Sequence, residues 1–163
     1  MKKNLRLIAG LAVLLALCAA VHLFGFHVVR VEGNSMATTL NRGDLAIVTR
    51  FDYRIGTPNR GDVVECRFLG REGTYLKRLI GLPGETVEII DSRVFIDGDP
   101  LSEPYATGPS EDYRAVLGAD EYLVLGDNRA ESYDSRAEDM GMIHNSDLLG
   151  RVRCTLLPFR NID

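Results

Sequence analysis

Three stretches carry residues whose types could do chemistry. The first is GNSMATTL, residues 33–40, where Ser35 is a nucleophile only if a base stands beside it to take the hydroxyl proton. Taken alone, a serine in a Gly-Asn-Ser turn is an ordinary loop hydroxyl. Histidine is the usual base, but His22 lies inside an apolar run, His27 at its edge, and His144 in the loop-like GMIHNSD. A Ser-His-Asp triad is therefore not expected, and His144 reads as a surface residue. Lysine is the other base, and the second stretch, GTYLKRLIGLPGE (residues 73–85), offers one. Strand alternation puts Tyr75, Lys77 and Leu79 on one face and Leu76 and Arg78 on the other. An apolar setting on that face would lower the Lys77 pKa from the free value of about 10.4, as a base near neutrality requires. The same residue also fits a strand lysine that lays its stem on apolar surface and its ammonium in water. The third stretch, LGDNRAESYDSR (residues 125–136), is dense in short polar side chains with Asp134 and Arg136 at its end. It reads as solvated turn or as a hydrogen-bonded scaffold beside a site.

These stretches must be positioned by strands. After residue 27 the apolar pattern is short and alternating: HVVRVEG, DLAIVTRF, DVVECRFL, TYLKRLIGL, TVEII, RVFIDG, EYLVLG and LLGRVRCTLL. Turn residues bound nearly all of them, and no sustained 3.6-residue period appears, so this part is expected to be mostly β. DSR between TVEII and VFIDG suggests a hairpin, and Asp97–Ala119, rich in Gly, Pro and acids, suggests a long surface loop. Arg-Gly-Asp occurs at residues 42–44 and 60–62, each time opening a strand, which a tight turn explains better than adhesion.

The N-terminus differs. LIAGLAVLLALCAAVHLFGF, residues 7–26, has only His22 as a polar side chain. A helix of that length rises about 30 Å, the hydrocarbon thickness of a bilayer. Lys2, Lys3 and Arg6 precede it, which places the N-terminus in the cytoplasm and the rest on the far side. The run exceeds the 7–15 apolar residues usual in a cleaved leader, so a retained anchor is expected. The formal net charge is −4 for the whole chain and −7 beyond residue 27, an acidic balance with no footprint for nucleic acid. Cys18, Cys66 and Cys154 show no metal spacing; a Cys66–Cys154 bridge and free thiols both remain open.

In their order behind such an N-terminus, GNSMATTL with RGDLAIV, then YLKRLIGLPGE, then GDNRAESYDSR resemble the bacterial type I signal peptidases in their short, single-anchor form. The mitochondrial inner-membrane peptidases are similar relatives. The resemblance runs from the apolar segment to about Val152. It implies Ser35 as nucleophile and Lys77 as general base. Ser132 would orient the lysine, and Asp134 and Arg136 would form a supporting ion pair, with Gly126 and Asp127 in the same supporting loop. The Ser35 N–H would form part of an oxyanion hole. Gly33 stands where some relatives carry a serine as a second donor. One departure is Thr38, where the family usually has a proline; its loss is expected to loosen the turn behind Ser35.

The expected fold is all-β, a coiled antiparallel sheet domain (28–163) behind a cytoplasmic tip and one transmembrane helix (1–27). The expected protein is an endopeptidase of the bacterial cell membrane, single-pass, with its catalytic domain extracytoplasmic. It needs no cofactor and no metal. It takes preproteins whose signal peptides carry small residues one and three positions before the cut. Its other partners are the lipid bilayer and, as an additional candidate, the export translocon. Two rivals stand beside it: a self-cleaving serine-lysine protease of the repressor type, and a silent membrane-anchored β domain that binds preproteins or another peptidase.

Overall fold

A computed structural model of the chain describes the backbone of residues 2–162 and the side chains there except 2–7, 20–24, 54 and 55. The N-terminal run forms helix α1 (Lys2–Phe24), followed by a turn at Gly25. Strands follow: β1 (Phe26–Arg30), β2 (Leu45–Thr49), the one-turn helix α2 (Asp52–Ile55), β3 (Val63–Cys66) and β4 (Tyr75–Gly81). Next come β5 (Thr86–Ile90), β6 (Arg93–Ile96), β7 (Asp99–Pro100), β8 (Tyr113–Val116) and β9 (Glu121–Leu125). The chain ends with β10 (Ile143–His144), β11 (Leu148–Leu156) and β12 (Phe159–Asn161).

The strands build two antiparallel sheets. The larger runs β1-β2-β11-β3-β4-β9-β10, with β12 on β11; the smaller runs β7-β6-β5-β8. Long β11 shifts register against both neighbours, between Val152 and Cys154 and between Leu148 and Gly150. Such bulges bend and coil a sheet. β4 is paired along its first half only with β3, because β9 meets it from Arg78 onward. The other edge of Tyr75–Lys77 is therefore open.

Three buried clusters hold the fold. Val64, Cys66, Phe68, Leu79 and Ile143 form one, and Ile80, Val87, Ile89, Leu123 and Leu125 form another under the smaller sheet. In the third, Met36 and Leu40 pack with Val31, Val48, Val63 and Val152. Burying each such side chain is worth about 1.5–3 kcal/mol, so these two pins hold the Ser35 turn onto the sheet.

The structure bears on several of these expectations. Among the described residues no helix is long and apolar enough to cross a membrane. The expected span ran from residue 7 to 26, but α1 ends at Phe24 and Phe26 already pairs with Thr49 in β2. The side chains described on α1, residues 8–19, are all exposed. The rest of the expected span, residues 7 and 20–24, lies outside the described side chains of the 23-residue α1. Lys2, Lys3 and Arg6, on which the expected orientation rests, lie outside the described side chains. Asp97–Ala119 is not a free loop either: β7 and β8 lie in it, with β8 paired to β5. Both Arg-Gly-Asp sites are turns, with Gly43 and Gly61 at φ 96° and 92°. Asp44 and Asp62 accept the N–H groups of Asn41 and Asn59, at 2.9 and 3.0 Å. The cysteines are free thiols. The β3–β11 register sets Cys66 opposite Leu148, six positions along the strand from Cys154.

Candidate active site

Ser35 sits half-buried in a run of tight turns: Ala37 N–H donates to Asn34 O at 2.9 Å, and Leu40 N–H to Met36 O at 2.7 Å. Its carbonyl accepts the Asn128 N–H at 3.0 Å, so the turn is also tied to the 125–136 loop. Among the described residues nothing accepts the Ser35 N–H, which is left able to meet an oxyanion. A Cβ at Gly33 would find only the Ser35 nitrogen, at 4.0 Å.

Lys77 is 3% exposed on β4, opposite Val64 of β3. Its Nζ donates to Ser132 Oγ at 3.0 Å. Burial pulls its pKa below 10.5; Asp134 and Cys66 pull the other way, and Arg136 adds to the lowering. Burial also pushes the neighbouring Cys66 thiol up to about 12, so it stays protonated and apolar in character.

The 125–136 loop is the scaffold. Asp134, fully buried, takes Arg136 Nε at 2.8 Å and Nη2 at 2.9 Å, and accepts the Gly126 N–H at 2.9 Å. Burial works to raise the Asp134 pKa, but hydrogen bonds from Arg136 and Ser132 bring it below 3.8. The Ser132 hydroxyl thus accepts from Lys77 and lies near enough to Asp134 to help hold its carboxyl ionised. Arg136 closes the loop by donating to the carbonyls of Arg129 and Ser132. Gly126 is needed sterically: a Cβ there would lie 2.2 Å from Ser132 Oγ and 2.4 Å from the Ser35 carbonyl oxygen.

Ser35 and Lys77 line one cleft of about 690 Å³, between the segment 29–36 and the open edge of β4, with Tyr75 and Tyr133 at its sides. No hydrogen bond joins the two among the described residues. The lysine is held by Ser132 instead, so the contact within about 3.2 Å that a general base makes with its nucleophile is not formed here as a hydrogen bond. Catalytic hydrogen bonds are often loose in an unliganded site and tighten with substrate. His144 is on β10, outside the cleft, with Nδ1 against Asp120 O at 3.2 Å. Among the described residues no cluster of His, Cys, Asp or Glu is placed to hold a metal.

Asp127 has a partner that motif reading missed. It is fully buried and receives Arg78 Nε at 2.8 Å, Arg78 Nη2 at 2.7 Å and Thr39 Oγ1 at 2.5 Å. The signal was present in Arg78 itself, placed by alternation on the face opposite Lys77 and hence in need of a carboxylate. Thr38 is also not the loose spot expected. Its φ is 86°, a region a β-branched residue rarely enters, and its hydroxyl donates to Tyr105 O at 3.2 Å.

Comparison with known proteins gives a consistent result. The family model described as "Signal peptidase, peptidase S26" matches residues 4–157. Signal peptidase I P of Bacillus subtilis subsp. natto is 35% identical over 93% of this chain and 87% of its own. Signal peptidase I of Leptolyngbya laminosa is 35% identical over 94% and 78%, and signal peptidase I T of Bacillus subtilis (strain 168) 33% over 99% and 90%. The crystal structure of a signal peptidase I from Enterococcus faecalis V583 superposes with a TM-score of 0.54 at 32% identity. It covers 60% of this chain and 97% of that one.

Proposed function

From the premise that this chain belongs to the signal peptidase I family, peptidase S26, and is a serine endopeptidase removing signal peptides, we propose that Ser35 and Lys77 do the chemistry. Ser35 Oγ attacks the scissile carbonyl while neutral Lys77 Nζ takes its proton. The Ser35 N–H receives the developing oxyanion, and Lys77 returns the proton to the leaving amine. Water, deprotonated by the same lysine, then releases the acyl group from Ser35. The observation that carries this reading is the buried Lys77, its pKa lowered by desolvation and its Nζ fixed on Ser132, in the cleft that Ser35 lines. Burial supports a neutral base, and Ser132 supports its aim.

The substrate runs extended between β1 and the open edge of Tyr75–Lys77, adding a strand so that main-chain hydrogen bonds bind it. The cleft takes small residues one and three positions before the cut. The preprotein meets the enzyme at a lipid bilayer, which the 23-residue α1 crosses with Ile8, Leu11, Leu14, Leu15 and Leu17 facing the lipid. The N-terminus faces the cytoplasm and residues 28–163 the outside, where the translocon delivers the chain.

The test is cleavage of a labelled preprotein by the detergent-solubilised enzyme beside its Ser35→Ala form. Cleavage at the signal-peptide junction by wild type alone is expected. Undiminished cleavage by Ser35→Ala would remove the serine from the mechanism. The membrane part is tested separately: α1 should hold the protein in the pellet through a high-salt wash, and release by salt alone would contradict it.

A further inference from the structure

The segment between β7 and β8 docks on the supporting loop. Thr107 N–H donates to Asp127 O and Arg129 N–H to Thr107 O, both at 2.8 Å. Glu103 grips the buried Arg129 guanidinium at 2.6 and 3.2 Å. Between these anchors Tyr105 sets its ring face against Arg78, the centroid 3.8 Å from the guanidinium carbon, and its carbonyl takes the Thr38 hydroxyl.

The geometry points to Tyr105 as a positioning residue for both reacting groups, an inference that rests on the Ser35/Lys77 reading. It touches neither of them and is outside the cleft. Instead it covers Arg78, the strand neighbour of Lys77, and holds Thr38, three residues beyond Ser35. Arg78 is bound to Asp127, which also receives Thr39 from the serine turn, and Asn128, the next residue, donates to the Ser35 carbonyl. One ring thus keeps water from the ion pair that ties the lysine strand, the serine turn and the 125–136 loop together. An ion pair in such a dry site is stronger than the same pair in water. The Thr38–Tyr105 bond holds the strained φ of 86° in place, and strain of that kind persists only where the surroundings fix it.

The test measures kcat and KM separately for signal-peptide cleavage, per folded enzyme as read from the thermal melt. Tyr105→Ala should lower kcat by about 10- to 100-fold with KM little changed, the penalty of misaligned reacting groups. Tyr105→Phe, which keeps the ring on Arg78, should restore kcat to within about 3-fold, and Tyr105→Leu, with volume but no π face, should not. Thr38→Val should lower kcat, while Thr38→Ser keeps it. If Tyr105→Ala does not fold, Tyr105→Leu is read in its place. A wild-type kcat in Tyr105→Ala and Tyr105→Leu, or a rise in KM alone, overturns the inference. Because wild type and Ser35→Ala are run alongside, an intact kcat in an enzyme that still needs Ser35 removes only the role of Tyr105.

Discussion

Gly126→Ala adds one methyl at the point where the two halves of the site touch. The new Cβ would stand 2.2 Å from Ser132 Oγ and 2.4 Å from the Ser35 carbonyl oxygen, against the 3.4 Å or more of an ordinary contact. Ser132 and the serine turn must therefore both retreat by about 1 Å from the new methyl, and a misplacement of that size costs about 10²-fold in rate. The turn cannot move freely, because Met36 and Leu40 are pinned in the core. Ser132 cannot move without releasing Lys77. Overpacking of this kind destabilises by about 1–3 kcal/mol. Steady-state cleavage of an internally quenched signal peptide, with urea unfolding in parallel, measures both effects. The expected result is a kcat about 10²-fold lower in a protein that still folds. Gly126→Ala with kcat within a few-fold of wild type would refute the claim that Ser132 and the Ser35 backbone must approach across this glycine.

Three further predictions follow from the same geometry. Gly33→Ser should fit, since a Cβ there meets nothing nearer than 4.0 Å, and its hydroxyl beside the Ser35 N–H should raise kcat several-fold without changing KM. Thr38→Pro should lower both melting temperature and activity, because proline holds φ near −65° where Thr38 stands at 86°, whereas Thr38→Asn should be tolerated. Lys77 has a folded pKa below its unfolded value of about 10.4, so between the two the unfolded chain binds more protons at this site and the lysine's own contribution to stability rises with pH, while the raised Cys66 thiol contributes the opposite slope. Lys77→Met keeps Cys66 and lacks only the lysine's contribution, so it should exceed wild type in urea midpoint at pH 7 by a margin that narrows as pH rises toward about 10.4; a margin that is absent or widens would contradict the lowered pKa.

What the sequence revealed and what it hid have a common cause. Strands such as TVEII and EYLVLG are legible because alternation is a local pattern, and the hairpin at Asp91–Ser92 because its turn residues stand side by side. YRAV, the strand β8, is hidden among glycine, proline and acids, and only its pairing with β5 makes it a strand. Ser35, Lys77 and the 125–136 loop were found through motif order, with the reasons for their neighbours left unseen. Nothing local tells that Arg78 meets Asp127, 49 residues on, or that Tyr105 covers the pair. Gly126 carries no chemistry, so its steric role appears only once Ser132 and Ser35 face each other. At the N-terminus, hydropathy read residues 7–26 as one span, whereas Phe26 pairs with Thr49 and belongs to the sheet.

The central claim is that a neutral, buried Lys77 activates Ser35, and the pH dependence of kcat/KM tests it most directly. The buried lysine is titrated in the free enzyme, so kcat/KM should rise with pH through a single ionisation whose midpoint lies well below 10.5, and the rise should vanish with the activity in Lys77→Arg, which stays charged. A rise that survives in an active Lys77→Arg enzyme, or disappears instead with His144→Ala, would contradict the account.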